Sequence, residues 1–133
     1  MRLWLFDTNA VSAAIHRHSA IFDARLVKEG TKGVRVSAIT YGEIRYVLES
    51  KPQAIRLARN ADDFFREVPI LPWTETTSEV YGALRAEMRR IGKALQPLDM
   101  LIAAHALETE ATLVSSDRAF RYVPGLAVED WTA

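Results

Sequence analysis

"LWLFDTN", residues 3–9, sets four apolar side chains directly before Asp7, Thr8 and Asn9. Leu3–Phe6 is too short for a helix of its own and reads as a buried strand. Asp, Thr and Asn all cap helices well, so the strand predicts a direct turn into a helix. That succession recurs along the chain. Val34–Ala38, Val68–Leu71, Thr112–Ser115 and Leu126–Glu129 are further strand-like runs. Helical stretches lie between them at Ala10–Arg17, Ile21–Glu29, Thr40–Ser50, Pro52–Glu67, Glu75–Ile91 and Leu98–Leu107. Val80, Leu84, Met88 and Ile91 share one face at helical spacing. Leu98–Leu107 is apolar almost all round, which predicts a central, buried helix. Strands alternating with helices predict an α/β fold with a mainly parallel sheet.

The bulk composition narrows the classes. With 133 residues, 49% hydrophobic and 26% charged, the chain suits one domain spanning residues 1–133, able to bury a core without staples. The absence of cysteine excludes a disulfide framework, a thiolate zinc site and a cysteine nucleophile, and fits a reducing cytoplasm. Asp7 interrupts the N-terminal apolar run, so neither a signal peptide nor a membrane span is expected. Seventeen basic and seventeen acidic residues cancel. Any nucleic-acid contact must therefore rest on local patches.

Taken singly, each acidic residue near a strand end has an ordinary structural explanation. Asp7 can cap the helix after the first strand. Glu43, in "TYGE" at 40–43, fits a capping box with Thr40 as N-cap. Asp99, in "QPLDMLIAAHAL" at 96–107, follows Pro97 in a first helical turn, where a negative charge suits the helix dipole. Asp117, in "TLVSSDRAF" at 112–120, opens a short helical turn, with Ser115 and Ser116 as competing caps. Their common placement is less ordinary. Asp7, Glu43 and Asp117 each fall after a strand and at a helix start. In a parallel sheet those positions share one edge, where ligands bind. Asp99 enters from a helix too apolar to hold an unpaired charge cheaply. Two carboxylates about 4 Å apart repel by roughly 4 kcal/mol at an effective dielectric near 20. Such a group must protonate or take a cation. Carboxylate oxygens suit Mg²⁺ or Mn²⁺, which can neutralise a phosphodiester as charge builds on its oxygens.

With these acids, and with "LFDTN", "VSAITYGEIRYVLE" at 36–49 and the stretch from Leu84 to Trp131, the chain resembles the PIN-domain ribonucleases, and among them the VapC-type toxins of toxin–antitoxin pairs. The resemblance implies a PIN-like three-layer α/β/α fold with a mainly parallel sheet of four to five strands. It implies a Mg²⁺- or Mn²⁺-dependent endoribonuclease with Asp7, Glu43, Asp99 and Asp117 as catalytic acids. Asp7, Asp99 and Asp117 would hold the metal, Asp117 either directly or through water, and Glu43 would orient a water there. Thr8 and Ser115 would be supporting hydroxyls. It further implies a homodimer and a cognate antitoxin, whose arginine could enter the acidic pocket. Two positions depart from the family pattern. Ser115–Ser116 stands where Thr-Asn is frequent, and Gln96 stands where glycine is common before "PLD".

An RNA substrate needs cations near these acids. Arg85, Arg89, Arg90 and Lys93 precede Asp99; Arg118 and Arg121 follow Asp117; Arg45 lies two positions after Glu43. The first group also suits a solvated helix end. His105 is six residues from Asp99, about 240° around a helix, so it reads as a core or interface residue and not a general base. His16 and His18 read as loop-surface residues. Tyr41, Ile44, Val47, Leu48, Ile55, Phe64 and Phe65 form mostly ordinary core. Two other functions are weighed. A haloacid-dehalogenase-type phosphatase also ends its first strand on an Asp, but places a second Asp where Asn9 stands. A PIN scaffold retained only for RNA or protein binding would not need four acids.

Overall fold

The computed structural model describes residues 2–133. Five strands, β1 (Trp4–Phe6), β2 (Val34–Ser37), β3 (Ile70–Leu71), β4 (Thr112–Val114) and β5 (Val128–Glu129), form one sheet. Their order is β3-β2-β1-β4-β5, and every pairing is parallel. Six helices connect them: α1 (Thr8–His16), α2 (Ala20–Glu29), α3 (Ala38–Ser50), α4 (Ile55–Glu67), α5 (Glu75–Arg90) and α6 (Pro97–Glu108). A 3₁₀ helix, Arg118–Tyr122, follows β4. The expected α/β class is present, and the sheet, expected to be mainly parallel with four to five strands, has five, all parallel.

Alternation along β1 sorts the core into two layers, because successive side chains point to opposite faces. Trp4 and Phe6 pack with Val11, Phe22, Ile44, Ala61 and Trp131 from the α1–α4 side. Leu5 packs with Leu84, Met88, Ile102, Leu113 and Phe120 from the α5–α6 side. The sheet is thus the middle of three layers. Leu5, Phe6 and Leu113 are completely buried, which explains why these short strands read as continuous apolar runs. Gly33, just before β2, is required by close approach: a Cβ there would lie 2.4 Å from the Arg2 carbonyl oxygen.

α5 and α6 run antiparallel, since Thr77 in the first turn of α5 donates to Glu108 in the last turn of α6, at 2.5 Å. The connection at 91–96, with Gly92 at φ +73°, therefore stands at the same edge as the start of α6. α6 is buried along Met100 and Ile102–Ala106, as its uniform apolarity predicts.

The capping box expected at Thr40–Glu43 does not form. α3 starts earlier, with Ser37 as N-cap accepting from the Ile39 N–H at 3.1 Å. Thr40 is inside the helix and fully buried. Its hydroxyl has no hydrogen-bond partner, because that face of α3 lies against the core. The capping box that does form is Thr74 with Thr77 at the start of α5. Boundaries shift elsewhere too. α1 begins at Thr8, and α4 begins at Ile55, after a turn at 52–53. β3 and β5 shrink to two residues each, since a short strand on a sheet edge pairs on one side only.

Candidate active site

β1 is the switch point of the sheet, with β2 on one side and β4 on the other. Connections leave in opposite directions there, and a crevice opens at the carboxyl ends. Asp7 occupies the end of β1 and caps α1, accepting from the Ala10 N–H at 2.8 Å. It is only 5% exposed. Burial pushes its carboxyl up from 3.8 to about 6. Hydrogen bonds from the Ser115 side chain and the Ala10 N–H oppose this shift, while the charges of Asp99 and Asp117 add to it. Ser115, just past β4, also accepts from the Asp117 N–H at 3.0 Å. One hydroxyl therefore ties the ends of β1 and β4 together.

Glu43, released from capping, is half-buried on α3. The Thr8 hydroxyl donates to its carboxylate at 2.6 Å. Asp99, in the first turn of α6, is held above the usual carboxylate range by burial and then by the charges of Asp117 and Glu43. Asp117 is exposed and caps the 3₁₀ helix through the Ala119 N–H at 2.9 Å. The fields of the four carboxylates overlap: Asp7 feels Asp99 and Asp117, and Asp99 feels Asp117 and Glu43. Among the described residues, no lysine, arginine or histidine forms an ion pair with any of them. No three His, Asp or Glu side chains among the described residues are already gathered in ligand geometry. The donor set is nonetheless all oxygen, negative and uncompensated, which fits a hard divalent cation.

The basic candidates separate into two groups. Arg45 is paired with Glu49 at 2.8 Å, Arg90 with Glu87 at 2.5 Å, and Arg85 donates to the Tyr81 hydroxyl at 2.9 Å. Among the described residues, Arg89, Lys93 and Arg118 have no carboxylate partner. His105 is buried, and its hydrogen bonds go to groups other than the four acids. Its Nδ1 lies 2.8 Å from Ser37 Oγ, and its ring contacts Trp73 edge-on. Burial holds its pKa below the ordinary value, against the charge of Glu108 and a bond to the Pro72 backbone. Proline offers only a carbonyl, so the ring donates there and Nδ1 accepts from Ser37. The residue is a core link between α6 and the end of β2.

A groove of about 590 Å³ adjoins the acids, lined by Thr8, Ile39, Glu43, Tyr46, Val47 and Leu98. Tyr46 is 74% and Leu98 44% exposed. Leu98, embedded in an apolar stretch, carries no sequence signal that distinguishes it from the core.

The family model for the PIN domain matches residues 4–126 of this chain. The chain belongs to the PIN-domain family. It is 31% identical to ribonuclease VapC2 of Haemophilus influenzae, over 98% of this chain and 99% of that protein. It is 28% identical to the tRNA(fMet)-specific endonuclease VapC of Shigella flexneri, over 99% and 100%. A structure of DNA-bound VapBC from Salmonella typhimurium superimposes with a TM-score of 0.88 at 27% identity, covering 98% of this chain and 99% of that one. Membership of the PIN family removes the phosphatase alternative. The two departures from the PIN pattern leave the local geometry sound. Ser115 keeps the hydroxyl that meets Asp7, and Gln96 has φ −59°, which needs no glycine.

Proposed function

We propose that the chain is a divalent-metal-dependent endoribonuclease and the toxin of a toxin–antitoxin pair, with Asp7, Glu43, Asp99 and Asp117 as its catalytic acids. The observation that carries the reading is the uncompensated carboxylate cluster at the carboxyl edge of a PIN sheet. Asp7, Asp99 and Asp117 would hold Mg²⁺ or Mn²⁺. That cation would offset charge on the scissile phosphate and favour ionisation of a water. The chain's own residues do the positioning. β1 fixes Asp7 from below, and Ser115 holds it level with the turn bearing Asp117. Thr8 aims Glu43 at the same space, where one carboxylate oxygen is left to orient a water and take its proton. Nucleases named VapC in other bacteria support the substrate class, RNA.

The groove beside Glu43 would seat a cognate antitoxin segment, whose arginine would neutralise the cluster in place of the cation. Solved toxin–antitoxin complexes with this fold support that partner. A homodimer would cover part of the exposed apolar surface. Among the described residues no helix is long and apolar enough to cross a membrane, in keeping with the cytoplasmic placement we propose.

The test is RNA cleavage by the purified chain, freed of any partner, with Mg²⁺, Mn²⁺ or EDTA. Wild type is expected to cleave only with metal, and Asp7→Asn and Asp99→Asn to lose at least a hundredfold in rate. Equal cleavage by all three proteins overturns the site. RNA binding without cleavage in either metal establishes the non-catalytic scaffold instead.

A further inference from the structure

We propose that Tyr122 and Lys93 form a platform that seats single-stranded RNA at the rim of the acidic cluster, with a base on the tyrosine ring and a phosphate on the ammonium; this rests on the ribonuclease reading. Tyr122 is 56% exposed, and Lys93 Nζ stands 4.3 Å from its ring centroid. The two residues come from separate segments, and each segment leads to an acid. Lys93 lies in the 91–96 connection that enters α6 ahead of Asp99. Tyr122 ends the 3₁₀ helix that Asp117 caps. At about 2 Å rise per residue, that helix sets Tyr122 roughly 10 Å from Asp117. This spans about three stacked bases at 3.4 Å per step, so a strand on the ring reaches the cluster without a gap.

The surroundings favour nucleic acid over an apolar protein segment. Arg118 and Arg121 are exposed on the same 3₁₀ helix, and neither has a carboxylate partner among the described residues. An exposed ring with an ammonium over it, on a short helix that also carries two exposed arginines, combines stacking with phosphate contact, as single-strand recognition requires. It also answers an electrostatic difficulty. The four carboxylates repel RNA, so the substrate needs an anchor beside them and not among them.

The experiment pairs kinetics with a direct stacking signal. Single-stranded RNA carrying 2-aminopurine is titrated into Asp7→Asn protein with and without Tyr122→Ala, and cleavage by otherwise wild-type protein is measured in parallel. We expect fluorescence quenching with Tyr122 or Tyr122→Phe and its loss in Tyr122→Ala. We expect Tyr122→Ala to raise KM about tenfold while kcat moves less than twofold. Lys93→Gln should lower the slope of log Kd against log salt by about 0.7. Unchanged quenching and KM in a folded Tyr122→Ala variant overturn the platform. Were Tyr122→Ala unfolded, an unchanged salt slope in Lys93→Gln would overturn it alone. If wild type cuts no RNA yet Tyr122→Ala abolishes quenching, the ribonuclease reading fails and the platform stands.

Discussion

Asp7 shows how a residue can cap a helix and yet cost the fold. Its bond to Ala10 stabilises α1, but burial lifts its carboxyl to about 6. The folded state therefore holds a proton that the unfolded chain releases between about pH 3.8 and 6. As pH rises through that window, stability falls, by about 3 kcal/mol once Asp7 is ionised in both states. Asn caps as well as Asp and carries no charge. Asp7→Asn is therefore expected to raise the urea midpoint at pH 7.5 and to give no gain near pH 3.5. Equal gains at both pH values, or a loss at pH 7.5, would refute this account. Added Mg²⁺ should raise the wild-type midpoint at pH 7.5 and raise that of Asp7→Asn much less, since the cation offsets the charge that the substitution removes.

At the scale of the element, α3 separates what local sequence can say from what packing decides. The spacing Thr40-x-x-Glu43 matches a capping box, but Ser37 already caps the helix one turn earlier. The pattern is local, whereas the burial of Thr40 comes from residues distant in sequence, so the spacing alone pointed to Thr40. The consequence reaches the site: a Glu43 not folded back on its own helix can face Thr8. Ser37 serves both Ile39 and His105, so Ser37→Ala should cost about 1–3 kcal/mol. The buried Thr40 hydroxyl has no partner, so Thr40→Val should be neutral or stabilising. Urea denaturation decides between them, and a Thr40→Val loss as large as that of Ser37→Ala would restore the capping role to Thr40. Asp7, by contrast, was readable as both cap and acid, because strand, turn and helix follow one another within seven residues.

For the whole molecule, the acidic edge was legible because Asp7, Glu43 and Asp117 follow strands, parallel strands end together, and Asp99 opens a helix too apolar to carry a charge elsewhere. The strand order was not, since β1 meets β4 only after more than a hundred residues of intervening chain. Nor was the packing of Trp131, whose near-terminal position suggests nothing of its burial. Trp131 is 2% exposed. Its ring lies 5.5 Å from Trp4, 5.1 Å from Phe6 and 5.8 Å from Phe22, while Nε1 donates to Glu129 at 3.1 Å. Arg25 covers its ring and also pairs with Glu129. The chain after β5 is thereby bound to β1 and α2. Trp131→Ala removes a large core side chain and leaves its neighbours around a void, at an expected cost of about 3–5 kcal/mol. Against a total near 5–15 kcal/mol, that shifts the urea midpoint far to lower concentration. Trp131→Phe keeps the ring packing and should lose much less. A Trp131→Ala variant as stable as wild type would mean that the segment after β5 does not close the core. The rigidity of β1, and with it the fixed direction of Asp7, would then have to come from the sheet alone.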